Sequence, residues 1–479
     1  MTSYEYDLNN NKTKETRYLS GGITMKSQFF YDILDHMTGS LVDTSSGNTI
    51  LTTFKYDENG NVIEKKVGSG ALVKYTYNEF GKVASERIIM NPNSSAEDIV
   101  TGYTYDTNGN LTGKTDPLGY TTTYTYDLYD RQMQETNPKG TYTVFVLNKD
   151  GSVGSKSMYN SGATILSKSD YLSDGLGNIT KSTDYLSPAS STLGVDTKIT
   201  YDRNGKKTSI IDSLGNTTRN YYDRLGRLSS TVDALGNTVA YAYDKRDLVL
   251  SKTITQNNGT TNTTSSAYDH DGRLTSQTDN LGQTKTLTYN GLNQIISSKD
   301  EANRVTNYEL DYAGKTTKET KYLSGGTSVV TQYAYDEREN LTSIIDPNNN
   351  TTTYTYDGIN RNTSVIYPDS KQLTYTYDKD SNVISQTDPN GTVTTNSYDM
   401  TNLLTGRSIA TGTGVIGITS ENYTYDSLNR VISGTDSSAN ALTFGYDSLS
   451  RLVNENSSGS TVGYTYDSNG NRTSITSGT

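Results

Sequence analysis

Few residues in this chain have the means to do chemistry. There are two histidines, His36 in "YDILDHM" and His270 in "YDHDGR". A Ser–His–carboxylate triad would need one of them beside a serine and an acid, and neither accompanies a nucleophile-elbow pattern. The chain has no cysteine, which removes disulfides, thiolate metal sites and a thiol nucleophile. "YDENGN", "YDTNGN" and "YDSNGN", starting at Tyr56, Tyr105 and Tyr466, open like calcium loops. Such a loop needs further acids and a bidentate Glu at its twelfth position. Counted from Asp57, Asp106 and Asp467, those positions hold Gly68, Pro117 and Gly478, so a plain turn is expected. Two carboxylates about 5–10 Å apart would suffice for glycoside hydrolysis. Here, however, nearly every Asp begins a turn and recurs along the whole chain. Arg227, Arg273 and Arg430, each just after such a turn, are expected to make exposed ion pairs of little value. The expectation is therefore no catalytic residue, no metal and no cofactor.

The elements that carry these residues follow a period. Tyr-Asp, with degenerate copies, falls at residues 6, 31, 56, 77, 105, 126, 147, 173, 201, 222, 243, 268, 289, 310, 335, 356, 377, 398, 425, 446 and 466. Of the 20 intervals, 11 are 21 residues, one is 20, and eight run from 25 to 28. The unit Asn216 to Asn237, "NTTRNYYDRLGRLSSTVDALGN", shows the parts. A Thr- and Tyr-rich strand A ends at Tyr222, and Asp223 to Gly226 form a tight turn. Asp at the first turn position accepts a bond from an amide two residues on, and Gly supplies a positive φ. Leu228 to Val232 form strand B, and a second turn leads to the next strand A. All seven prolines fall in this second kind of turn, as in "DPLG" from Asp116, where they spare the ladder. The irregular lengths fall there too, which predicts one uniform edge and one edge of variable loops.

Within "TTTYTYD", from Thr351, alternation puts both tyrosines on one face. Stacked tyrosine ladders from unit to unit are expected, at roughly 0.2–1 kcal/mol per cross-strand pair. The residues assigned to this structural signature are Tyr105, Asp106, Gly109, Tyr126, Asp127, Tyr222, Asp223, Gly226, Tyr243, Asp244, Tyr356, Asp357, Tyr377, Asp378, Tyr425, Asp426, Tyr466, Asp467 and Gly470. Roughly forty strands at ~4.8 Å would make a ribbon near 190 Å wide, which no open twisted sheet sustains flat. The predicted fold is all-β. Tandem ~21-residue hairpins join in one continuous antiparallel sheet that spirals into a partial hollow shell. A single array over 1–479 is expected, without a separate core, autoprotease or toxin domain.

Composition agrees with a repeat and excludes several partners. Apolar residues are 32%, and the chain holds 40 Tyr but no Trp, so a conventional core is out of reach. The formal charge of −11 disfavours nucleic acid and anionic membranes. No stretch approaches the ~20 apolar residues of a membrane span, and the first residues hold no signal-peptide core.

The signature Y-x-Y-D-x-x-G-[NR]-[LV], seen at Tyr103, Tyr221 and Tyr268, with D-P-x-G-N between copies, resembles the YD repeats of the RHS family. The resemblance covers essentially the whole chain. It implies spiralling hairpins forming a hollow cocoon, as in bacterial RHS polymorphic toxins, the wall-associated protein, Tc toxin B and C components and teneurins. It also implies a secreted or cell-surface, bacterial protein whose shell encloses a C-terminal effector, so that partners are other segments of a longer polypeptide. No core segment with autoproteolytic aspartates is recognisable, so self-cleavage and toxicity are not carried over, and a repeat-only portion of a shell is expected. The alternative is an adhesin-like module that binds a glycan or a cell-surface partner through variable loops or exposed Tyr. Finally, Tyr4–Asp32 and Tyr308–Asp336 share 15 of 29 residues, including "YLSGG" from Tyr18 and Tyr322. Repeat duplication explains this match, with a shared binding loop as the sharper alternative.

Overall fold

The computed structural model describes residues 2–18, 24–43, 49–311, 313–323, 326–457 and 459–478. The "YLSGG" loops lie largely outside the described residues. Forty-two strands, from β1 (Thr2–Tyr6) to β42 (Arg472–Gly478), follow one another in a single sheet. Each pairs antiparallel with the next, as in the Tyr354↔Val365 and Ser364↔Thr374 registers. Among the described residues the only helix is a 3-10 turn, Ser95–Glu97, inside one of the longest insertions. No helix is long and apolar enough to cross a membrane, which says nothing of a β-barrel.

Every odd-numbered strand ends on the residue where the period places Tyr-Asp, degenerate copies included. Thus β13 ends at Leu147, β15 at Ser173, β27 at Leu310 and β31 (Thr351–Tyr356) at Tyr356. The chain then reverses through a five-residue turn with one extra residue on the returning strand. At Asp357 the turn closes with Asp357 N to Arg361 O at 3.0 Å and Asn360 N to Asp357 O at 3.2 Å. The register slips between Thr355 and Tyr356, a bulge that bends the strand pair. Its fourth residue is left-handed, with φ of 85° at Gly109, 79° at Gly226 and 85° at Gly470. Asn360 holds the same conformation with φ 67°, which is why the signature glycine often gives way to Asn.

The wall is one layer thick. Ile99 is the one buried hydrophobic residue among those described, and no large side chain is fully buried. In β31, Thr355 is exposed while Tyr354 and Tyr356 are half-buried, so the pleat separates a Thr face from a Tyr face.

The sheet coils until it meets itself. The loop after β6 (Val62–Val67) touches the loop after β29 (Ser328–Tyr335), where Glu337 accepts the Ser69 amide at 2.6 Å. The loop after β12 (Gln132–Thr136) touches that after β35 (Val393–Tyr398) through Lys139 and Asp399, 2.6 Å apart. The loop after β18 (Lys207–Ile211) touches that after β41 (Ser460–Tyr466), with Ser213 Oγ to Asn469 Oδ1 at 2.7 Å. The offset is 23 strands each time. At ~4.8 Å per strand this is a circumference of roughly 110 Å, hence a coil about 35 Å across. Because 23 is odd, unlike edges meet: the variable-loop rim of the first turn sits under the Tyr-Asp rim of the second.

Candidate functional site

Tyr and Asp of the repeat form a clasp that works in three directions. The Tyr hydroxyl reaches back to the preceding hairpin and donates to the carbonyl of the first residue of its strand B. Tyr105 binds Val83 at 3.0 Å, Tyr126 binds Leu111 at 2.9 Å, Tyr222 binds Lys207 at 2.8 Å and Tyr243 binds Leu228 at 2.8 Å. Tyr356, Tyr377, Tyr425 and Tyr466 do the same to Leu341, Asn362, Leu404 and Leu452, at 2.6 to 2.9 Å. The reason is visible at Asn362. Its strand pairs with the next one only from Ser364 onward, so its carbonyl has no ladder partner and the phenol supplies one.

The Asp fastens its own turn. Asp357 Oδ1 accepts the amides of Ile359 and Arg361, both at 3.0 Å. Asp106, Asp127, Asp223, Asp244, Asp426 and Asp467 repeat this pair of bonds, while Asp378 makes the second of them to Asn382. Hydrogen bonds to the charged form hold the carboxyls of Asp106 and Asp467 below the ordinary carboxylate range, through Asn110 and Asn471 respectively.

The third direction is forward, and it was misread from sequence. The residue four positions after Asp ties its own turn to the next unit. Arg227 Nε donates to Asp223 at 2.7 Å, and its Nη1 donates to the carbonyl of Asp244 at 2.9 Å. Its guanidinium lies 4.6 Å from the centre of the Tyr243 ring. Arg273, Arg361, Arg430 and Arg451 sit the same way over Tyr289, Tyr377, Tyr446 and Tyr466. Where Asn replaces Arg, as at Asn110, it bridges Asp106 and the next turn's Asp130. These are interlocking bonds with cation–π contact, not loose surface pairs.

The expected tyrosine ladder does not form. Successive A strands are separated by a B strand, so equivalent rings stand about 10 Å apart, beyond stacking range. Among the described residues the tyrosine ring pairs are Tyr142–Tyr159 on adjacent strands and the tilted Tyr241–Tyr243 and Tyr375–Tyr377. The arginines occupy the gaps instead.

The residues with chemical potential are dispersed. His36 stacks on Tyr56 with centroids 4.8 Å apart and faces Asp32 at 3.3 Å. His270 stays in its exposed turn, where its carbonyl accepts a bond from Arg246. Among the described residues, no group of three or more His, Asp or Glu could hold a metal.

Chemically unusual groups gather at the seam between turns. Arg338, Gly358 and Ile359 of the second turn cover Val42, Ile50, Val67, Val73 and Ile88 of the first, around a cleft of about 390 Å³. A second cleft of about 420 Å³ opens between Leu118 and Tyr377–Lys379. Close by, both carboxyl oxygens of Asp380 are enclosed without a hydrogen-bond partner. Burial, then Asp116 across the seam, push this carboxyl up. Because the folded state holds its proton more tightly, its contribution is favourable below the ordinary carboxylate value and is lost as pH rises through the raised one. Asp380→Asn should therefore raise the melting temperature at pH 7, and the gain should vanish as the pH drops below about 4. A gain independent of pH would refute this account.

The comparisons with known proteins agree with this geometry. A family model described as RHS Repeat matches residues 105–142, 222–261, 268–305 and 446–479. One described as Teneurin YD-shell matches residues 320–414. No curated protein sequence matches significantly. Among solved structures, TcdB2-TccC3 without its hypervariable C-terminal region is 16% identical, with a TM-score of 0.52 over 97% of this chain. The Tc holotoxin pore of Photorhabdus luminescens is 15% identical, with a TM-score of 0.52 over 98%. This chain spans 26% of the length of each. At that identity the likeness speaks for the fold.

Proposed function

The chain belongs to the RHS (YD-repeat) family, and from that premise we propose that it is a non-catalytic wall segment. In this reading it forms part of the shell of a secreted or cell-surface bacterial protein, and the shell encloses or presents an effector. The observation that supports this best is the coil itself: a single-layer sheet that closes on itself every 23 strands and has almost no core of its own. Such a wall has one use for its rigidity, to separate an inside from an outside. The repeat signature serves cohesion, since in unit after unit Tyr reaches back to the preceding hairpin, Asp fastens its own turn and Arg or Asn reaches forward to the next. One array over 1–479, with no autoprotease or toxin part, completes the proposal.

The adhesin alternative draws less support. Sugar stacking needs free ring faces, and many tyrosines carry a guanidinium on one face and a carbonyl at the hydroxyl. The variable loops of the first turn lie in the seam rather than free at a rim.

Absence of cysteine makes the test clean. Single cysteines at Thr355 and at Tyr354 mark the two faces of one strand. One face should react with both a small maleimide and a bulky polymer-linked one, the other with the small reagent only. Equal reaction of both faces with both reagents would rule out an enclosed space.

A further inference from the structure

Tyr142 and Tyr159 stand outside the clasp. Tyr142 opens β13 (Tyr142–Leu147) and Tyr159 closes β14 (Val153–Tyr159), so neither ends an odd-numbered strand, where the clasp tyrosines stand. They are register partners, the last pair of their ladder on the variable-loop side. Directly opposed side chains start about 4.5–5.5 Å apart at Cβ. Here the rings go on to lie face to face, with 5.0 Å between centroids and 12° between planes. Both are half-buried, with Thr136 and Ile165 as their register neighbours on the flanking strands. The other tyrosine ring pairs among the described residues differ in kind. Tyr241–Tyr243 and Tyr375–Tyr377 each share one strand, with centroids 6.4 and 6.5 Å apart and planes tilted by 33° and 34°. Tyr243 and Tyr377 are also clasp residues, each with a guanidinium over the ring and its hydroxyl bound to a carbonyl.

Two phenols held parallel and in contact can undergo a coupling that neither undergoes alone. A one-electron oxidant takes an electron from each, and each hydroxyl proton leaves to solvent. The two phenoxyl radicals carry spin density on the ring carbons ortho to oxygen. One carbon–carbon bond forms between an ortho carbon of Tyr142 and an ortho carbon of Tyr159. Each of these carbons then gives up its hydrogen to its own phenol oxygen, and both rings are aromatic again. The protein has lost two electrons and two protons. With a haem peroxidase as oxidant, these reduce one hydrogen peroxide to two waters. A radical can arise at any of the 40 tyrosines, but coupling is fast only where both rings already sit in position.

We propose that Tyr142 and Tyr159 are an oxidative modification site, at which a one-electron oxidant of the peroxidase class joins them as dityrosine. The bond ties β13 to β14 at the loop end of their hairpin, beside the seam contact of Lys139 with Asp399. In a chain without cysteine it is a covalent tie where no disulfide can form. The modification goes beyond a wall role and does not rest on it.

The test exposes the purified 479-residue chain to a haem peroxidase and hydrogen peroxide and follows dityrosine fluorescence. Trypsin cuts after Lys139, Lys149, Lys156 and Lys168, so Tyr142 and Tyr159 fall on separate peptides with one tyrosine each. The expected early product is peptide 140–149 joined to peptide 157–168, lighter than their sum by two hydrogens. Its yield should not change with protein concentration, and the joined chain should keep the mass of one copy. Tyr142→Phe and Tyr159→Phe keep a ring in place but remove one phenol, and each should cut early dityrosine fluorescence by roughly tenfold. Tyr375→Phe should leave it unchanged. Circular dichroism identical to wild type separates loss of the partner from loss of the fold. Cross-links in which 142–159 is no commoner than 375–377, linkage only between chains, or fluorescence that survives both Phe variants would each overturn the proposal.

Discussion

Asp357→Ala is expected to loosen three hairpins rather than one, by about 2–4 kcal/mol locally. The carboxylate accepts two backbone amides and the Arg361 Nε, the last at 2.6 Å, with the side chain only 15% exposed. A hydrogen bond to a charged group contributes about 1.5–3 kcal/mol net, less where water can replace it. Two amides lose their acceptor and a guanidinium loses its anchor, which yields the range given. The damage should spread in a defined pattern. Tyr356 ties this unit back to Leu341, and Arg361 ties it forward to the carbonyl of Asp378 at 2.8 Å. Hydrogen exchange should therefore quicken from about β30 (Leu341–Ile345) to β33 (Gln372–Tyr377) and stay unchanged around Thr217–Val232. A global melt would blur this, because a repeat array unfolds by neighbouring units and not as one. Asp357→Asn should cost less, because it keeps an acceptor for both amides and gives up only the Arg361 bond. Asn78 and Asn290 occupy the same place in their own turns and accept the same two amides. Loss of protection confined to residues 357–361, or spread evenly over the coil, would contradict the clasp.

How much of this was legible beforehand depends on how local each cause is. The strand ends at Tyr-Asp and the turn chemistry are encoded within about six residues, so period and composition sufficed to place them. That holds even at Leu147, Ser173 and Leu310, where the Tyr itself is missing. The forward tie of Arg361 to the next unit was not legible. It spans 17 residues, and in the sequence it looks like any basic residue after a turn. A signal existed, since Arg and Asn alternate at that one position, and both can donate to two acceptors at once. The stacked-ring expectation failed because alternation fixes the face a side chain occupies but not its neighbour across an intervening strand. The pitch of the coil had no local signature. It is the sum of small twists over about 23 strands, and the residues that hydrogen-bond across the seam are 256 to 287 positions apart. The loop with a 3-10 turn hid the ion pair with the most buried carboxylate among the described residues, in which Asp98, 3% exposed, accepts Arg87 Nε at 2.6 Å.

The seam makes the second large prediction, because it joins successive turns of the coil through few contacts. Lys139→Glu is expected to part the two turns locally while leaving the strands intact. Lys139 and Asp399 are 25% and 19% exposed, so water screens the pair only partly. Burial pushes the Asp399 carboxyl up, yet the bonds from Lys139 and Thr401 outweigh it and hold it low. Reversing the charge removes that bond and sets two carboxylates against each other, at about 1–3 kcal/mol. The turn bearing Lys139 keeps its own fastening, since the Thr141 amide is held by Asn137 at 3.0 Å. Far-ultraviolet circular dichroism should thus stay unchanged while exchange quickens at residues 137–141 and 399–403. Adding Glu337→Lys, which takes away the acceptor of the Ser69 amide, should enlarge the radius of gyration in solution scattering. Asp399→Asn should restore the single variant: it removes the repulsion, and Asn serves the turn as it does at Asn78. A coil that keeps its radius with both contacts gone would mean that the curvature of the sheet alone holds the turns together, and that the polar seam merely fills the space between them.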